Sequence, residues 1–165
     1  MQKKLLIATI SFLLVFMAMR FQGVTLKTAA TPGGILNLEF ANSPAKLIEV
    51  VNAWDLSIAK QNIWIDFLLI PSYVLLFSMI AAICSNNWQN MLLVRLGTFL
   101  AKAAFAAGIL DIAENLLMLQ SIAGNYTPSS LWLTYYCAGI KFLILLLIGL
   151  YIIISIPVLL KNKQS

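Results

Sequence analysis

Asp66, Asp111, Glu114 and Lys141 all sit inside stretches of chain that are otherwise apolar enough to cross a lipid bilayer. An ionisable side chain at the bilayer centre costs roughly 2.5–3.5 kcal/mol on insertion scales. Four such residues, left to lipid, would undo much of the insertion energy, so they must face one another, water or the interior of a helix bundle. Their spacing supports the last arrangement. Asn62 and Asp66 are four apart on one helical face, with Tyr73 two turns on, and Asp111 shares a face with Glu114 and Asn115 at i+3 and i+4. Three carboxylates against Lys141 leave two uncompensated negative charges, and adding Arg20 still leaves one. Low dielectric relieves such an excess by a proton, a bound cation or entering water. These correspond to a proton relay, a cation or amine site, and an aqueous vestibule. The purely structural alternative is that Lys141 bridges Asp111 or Glu114, while Asn62 and Asn115 satisfy the rest and fix helix register. Interhelical hydrogen bonds worth about 0.6 kcal/mol scarcely offset buried charge. The candidate ligand-binding or buried polar cluster is therefore Asn62, Asp66, Tyr73, Asp111, Glu114, Asn115 and Lys141, with Arg20 as a contributor; no catalytic residue is assigned.

The elements that must carry these residues follow from composition. Of 165 residues, 61% are apolar and 10% charged, with a mean hydropathy of +0.92. Such a chain cannot cover its surface against water, so the expected class is an all-α integral membrane protein. Helical spans need roughly 17–25 apolar residues, and four stretches qualify: about 5–24, 63–84, 91–119 and 131–160. They make one four-helix transmembrane bundle, with no internal repeat or second domain. The first stretch follows Lys3 and Lys4 in the manner of a signal peptide. The nearest small-residue cleavage site, Thr28-Ala29-Ala30, lies too far beyond the apolar region, so an uncleaved span is expected.

Lys3 and Lys4 before span one, Arg95 at the start of span three, and Lys161 and Lys163 after span four predict cytoplasmic termini, because the loop from Ser121 to Ser130 carries no basic residue. Trp64 and Trp132 would then mark the outer interface and Trp88 the inner one. At about 1.5 Å per residue from the outer ends, Asp66 lies roughly 5 Å deep, Glu114 about 9 Å, Asp111 about 13 Å and Lys141 about 15 Å. One shared site in the outer half of the bilayer is expected.

In the first loop, Ser43-Pro44 reads as an N-cap with proline in the first turn. Leu47, Val50, Val51, Trp54 and Ile58 then recur at helical spacing, so an amphipathic helix is expected over about 44–58, either interfacial or packed on the bundle ends. Thr31-Pro32-Gly33-Gly34 upstream reads as a turn. Pro71 denies a hydrogen bond to the Phe67 carbonyl, which predicts a kink near Asp66. Ala104 and Gly108 form a small-xxx-small pair suited to close helix packing.

The chain has no histidine, which removes His-based zinc sites, bis-His haem and every Ser-His or Cys-His catalytic arrangement. No cofactor and no metal are expected. Cys84 and Cys137 fall toward opposite ends of the bundle, so no disulfide joins them. The net charge of +5 comes from scattered residues paired only at the termini, a topology pattern and not a nucleic-acid footprint. Three function classes stay open. In order, they are binding or transport of a cation, proton or small polar or lipid ligand; assembly with a membrane-protein partner or as a homo-oligomer; and an enzyme using Asp111 and Glu114 as acid and base on a lipid.

The segments Leu38-Glu39-Phe40-Ala41, Ala53-Trp54, Asp66-Phe67 to Tyr73, Asp111 to Asn115 and Lys141-Phe142 together resemble a family of uncharacterised bacterial integral membrane proteins with four spans. The resemblance covers about residues 36–150 and implies no established activity. It adds weight to Asp66, Asp111, Glu114, Asn115 and Lys141 as a set.

Overall fold

The computed structural model describes residues 2–161, with side chains placed for 3–160. Its elements are α1 (Gln2–Gln22), a 3-10 turn (Gly23–Leu26), α2 (Leu36–Glu39), α3 (Pro44–Ala53), α4 (Leu56–Asn87), α5 (Met91–Ile122) and α6 (Pro128–Lys161). No strand occurs among the described residues. Four segments, Lys3–Leu26, Leu56–Asn87, Met91–Ile122 and Pro128–Leu160, are long and apolar enough to cross a membrane. At about 1.5 Å per residue, α4, α5 and α6 are each longer than the roughly 30 Å of a hydrocarbon core.

Helix starts follow local capping chemistry. The Asp55 carboxylate accepts from the Ser57 N–H at 2.8 Å and Asn90 Oδ1 from the Leu92 N–H at 2.9 Å. Ser43 caps α3 more loosely, at 3.4 Å from the Lys46 N–H, with Pro44 in the first turn. The Asp55 cap corrects the sequence-derived boundaries. The helix expected over 44–58 ends at Ala53, the chain breaks at Trp54-Asp55, and Ile58 belongs to α4, which begins at Leu56 rather than near residue 63. Trp54 is extended and buried; its Nε1–H donates to Thr31 Oγ1 at 2.8 Å, and that hydroxyl donates to the Leu26 carbonyl.

The segment from the 3-10 turn to Asp55 is consequently an ordered cap. Gly34 takes φ +62°, a left-handed conformation that suits glycine. The neighbouring Gly33 N–H donates to Asn37 Oδ1 at 2.8 Å. Leu26, Leu38, Ala41, Leu47, Val50 and Trp54 form one buried cluster with Ala59, Ile63, Met118, Ile122 and Leu131 of the long helices. The cap thereby covers the end of the bundle where α4 begins, α5 ends and α6 begins.

Neighbouring long helices run antiparallel. Gln22 near the end of α1 donates to the Ile58 carbonyl at the start of α4, and Phe12 packs against Phe77. Both described chain ends therefore lie at the end of the bundle opposite the cap; Lys163 falls outside the described residues. α4 and α5 pack closely because Ala104, Ala107 and Gly108 are small and buried. A Cβ at Gly108 would come within 2.7 Å of Val74 Cγ2. α4 continues through Pro71 as one helix. At the uncapped end, Trp88 Nε1–H donates to Ser155 Oγ, Tyr151 O–H to the Leu93 carbonyl and Ser85 O–H to the Val94 carbonyl. Cys84 and Cys137 are both free and buried.

Candidate functional site: an acidic cavity beneath the cap

α5 brings Asp111, Glu114 and Asn115 to one face, α4 supplies Asp66 and Tyr73, and α6 supplies Lys141. The Lys141 ammonium donates to Asp111 Oδ1 at 2.9 Å and stands 2.9 Å from Glu114 Oε2 as an ion pair. All three residues are buried, Glu114 completely. Tyr73 O–H donates to the second Asp111 oxygen at 2.8 Å. Asn115 Nδ2–H donates to Asp66 Oδ2 at 2.7 Å. Six of the expected residues, Asp66, Tyr73, Asp111, Glu114, Asn115 and Lys141, thus occupy one connected neighbourhood.

Asn62 and Arg20 behave differently. Asn62 is buried and lines the same cavity, but its amide donates to Gln22 Oε1 at 2.7 Å and to the Met19 carbonyl at 3.0 Å, so it ties α4 to α1. Sharing a helical face with Asp66 did not bring it to the same partners, because α1 crosses that face first. Arg20 is exposed at the cavity mouth, and every ion pair among the described residues runs through Lys141.

The residue that sequence reasoning missed is Glu39. It comes from the four-residue α2 in the cap, is 7% exposed, and reaches to 3.7 Å from Lys141 Nζ. The available signal was its apolar setting, Leu38-Glu39-Phe40-Ala41, which is unusual for a solvated loop carboxylate. Burial pushes the Glu39 carboxyl above its ordinary range against the pull of Lys141. Glu39 and Glu114 approach the same ammonium, Lys141.

Glu39, Asp66, Asp111, Tyr73, Asn115 and Lys141 form the polar floor of a cavity of about 510 Å³. Its walls are apolar: Phe12, Phe16 and Met19 from α1 on one side, Phe142 and Leu145 from α6 on the other, with Leu69 and Phe77 from α4 between them. Phe16 and Phe142 are both more than a third exposed at its edge, and Arg20 and Lys27 stand where the cap meets the mouth. Asp66 is only partly buried and has no cationic partner, so it is the carboxylate most open to the cavity.

Comparison with family models, with curated proteins and with solved structures finds no match to this chain. Function must be argued from the cavity itself.

Proposed function

We propose that the chain is a multi-pass membrane protein that binds a small positively charged or polar ligand in the cavity beneath its cap, either to hold it or to pass it across the bilayer. The observation that carries this reading is a charge imbalance: three carboxylates, Glu39, Asp111 and Glu114, surround one ammonium, Lys141, and a fourth, Asp66, lines the cavity with no cationic partner. Lys141 offsets one of these negative charges, and an incoming cation is the natural complement to the remainder. Volume supports the same conclusion, because about 510 Å³ lies within the range of small-molecule sites.

Inward burial of Asp111, Glu114 and Lys141 favours this reading over pairing with charges on a partner's helix. Asp111 and Glu114, the pair an enzyme would use as acid and base, are both engaged by Lys141, which favours binding over proton shuttling at those two groups. In the proposed placement the protein lies in the cell membrane with both termini cytoplasmic, the cap extracytoplasmic and α3 along the outer interface.

The test is native mass spectrometry of protein released from mild detergent. Wild type is expected to retain a cationic or polar small molecule that Asp66→Asn loses. Equal retention by both proteins, or retention of anionic lipid alone, would overturn the proposal.

A further inference from the structure

The cavity floor has spent its donors and kept acceptors. Tyr73 has a single O–H, committed to Asp111; the Asn115 amide donates to Asp66; both amide hydrogens of Asn62 serve α1; and Lys141 is surrounded by three carboxylates. On the acceptor side, four buried side-chain oxygens have no hydrogen-bond donor: Glu39 Oε2, both Glu114 oxygens and Asn115 Oδ1. The Lys141 charge compensates the Glu39 and Glu114 carboxylates. Asn115 Oδ1 has no such partner. Its amide orientation is set by the Asp66 carboxylate, which can accept only from the NH2 side, so the orphan must be the oxygen. This residue is fully buried at the cavity lining, next to the carboxylate that the cavity exposes.

A ligand matched to this floor must bring N–H donors together with positive charge. A quaternary ammonium brings charge alone, and an anion brings neither. The rest of the cavity constrains the body of the ligand. α1 packs on α4, and α6 packs on α5 and α4. Phe12, Phe16 and Met19 of α1 and Phe142 and Leu145 of α6 consequently line the cavity from two helices that scarcely touch each other, and Phe16 and Phe142 are exposed. In a membrane, exposed side chains on these helices meet acyl chains.

Resting on the binding role proposed above, we infer that the ligand is an amphiphile with a primary ammonium head, which enters sideways from the bilayer between α1 and α6. Its head donates to Asp66 and to the Asn115 carbonyl oxygen, after a small movement of the Asp66 side chain, while its hydrocarbon body lies between Phe12, Phe16 and Phe142. The head group fills an acceptor-rich, negatively charged floor, and the apolar walls replace lipid around the tail.

The experiment uses the full chain in phosphatidylcholine nanodiscs, which present no primary amine, and measures binding of four probes: n-dodecylammonium, dodecyltrimethylammonium, n-dodecanol and n-propylammonium. n-Dodecylammonium is expected to bind wild type about tenfold or more tighter than each of the other three. Asp66→Asn should erase that advantage while the thermal transition shows the variant folded. n-Dodecylammonium binding no better than n-dodecanol would overturn the binding site itself. Equal binding of the trimethyl probe would leave a cation site standing and overturn the requirement for N–H donors. Equal binding of n-propylammonium would overturn lateral recognition of an amphiphile. The probe comparison on wild type decides each of these outcomes even if Asp66→Asn does not fold.

Discussion

Glu39 Oε2 lies 3.7 Å from Lys141 Nζ, so a carboxylate from the cap reaches an ammonium inside α6. The contact fastens the cap to the charge cluster. Through Lys141 it connects the cap to Asp111 and Glu114 of α5. Any ligand that rearranges the floor must therefore act on the cap.

Stability of the docked cap is expected to depend on pH through Glu39. Burial raises its proton affinity above the ordinary value of 4.5. The folded protein thus holds the proton more tightly than the released chain. The resulting stabilisation is fully present below about pH 4.5 and is lost as pH rises through the raised folded value. Hydrogen exchange over Leu38 to Ala41 should speed up across that window beyond the intrinsic pH effect, and Glu39→Gln should flatten the excess. A variant with the same slope as wild type would show that Glu39 is not the titrating group.

Tyr73→Phe removes the sole O–H given to Asp111 Oδ2 and leaves that oxygen without its donor. A hydrogen bond to a charged group contributes roughly 1.5–3 kcal/mol, and a loss of about that size is expected in denaturation of detergent-solubilised protein. A change below about 0.5 kcal/mol would mean that water takes over the role of the phenol.

The sequence made the four long helices legible because apolar runs of membrane length have few other uses, and Asp66, Asp111, Glu114 and Lys141 stood out against them. Comparing depths along separate helices was enough to expect one neighbourhood. Glu39 was not legible for the converse reason: it lies in a short segment between the long apolar runs, where a carboxylate has an ordinary reason to be even with apolar neighbours such as Leu38 and Phe40. Its burial depends on the cap folding back over the bundle, held by Trp54 on Thr31 and by Gly34 at φ +62°. Asn62 illustrates a second limit. Helical spacing placed it beside Asp66, but spacing does not say which neighbouring helix covers a face, and α1 took that position through Met19 and Gln22.

Close packing of α4 on α5 depends on Gly108. A Cβ there would meet Val74 Cγ2 at 2.7 Å, and valine is stiff at χ1 and cannot swing aside. Gly108→Ala is expected to destabilise the bundle by about 1–3 kcal/mol, and Val74→Ala added to it should recover part of the loss. Because Asp111 lies one turn beyond Gly108, the single variant should also weaken binding at the floor. Independent, additive effects of the two changes would refute a direct contact.

Labelling from outside intact cells tests the proposed orientation. In a background lacking the buried Cys84 and Cys137, Asn125→Cys at the capped end should react with an impermeant thiol reagent, whereas Gln89→Cys at the opposite end should react only after permeabilisation. The reverse pattern would place the cap and the mouth of the cavity toward the cytoplasm.

Removing the Lys141 ammonium tests the charge balance most directly. Lys141→Met leaves Asp111, Glu114 and Glu39 buried without their cation, and losing one partner of a buried ion pair typically costs about 3–5 kcal/mol. Neutralising a carboxylate in the same chain should recover part of this, but the two candidates are not equivalent. Asp111 keeps the Tyr73 hydrogen bond when Lys141 is gone, whereas neither Glu114 oxygen has a hydrogen-bond donor. Glutamine at 114 would also offer an amide N–H to the neighbouring Glu39. Glu114→Gln should therefore rescue Lys141→Met more than Asp111→Asn does, and the difference should appear as a larger coupling energy in the double-mutant cycle. Equal rescue would mean that the Tyr73 bond does not support Asp111 on its own. Absence of rescue by either would mean that Lys141 compensates neither carboxylate and that water balances the charge of the cavity.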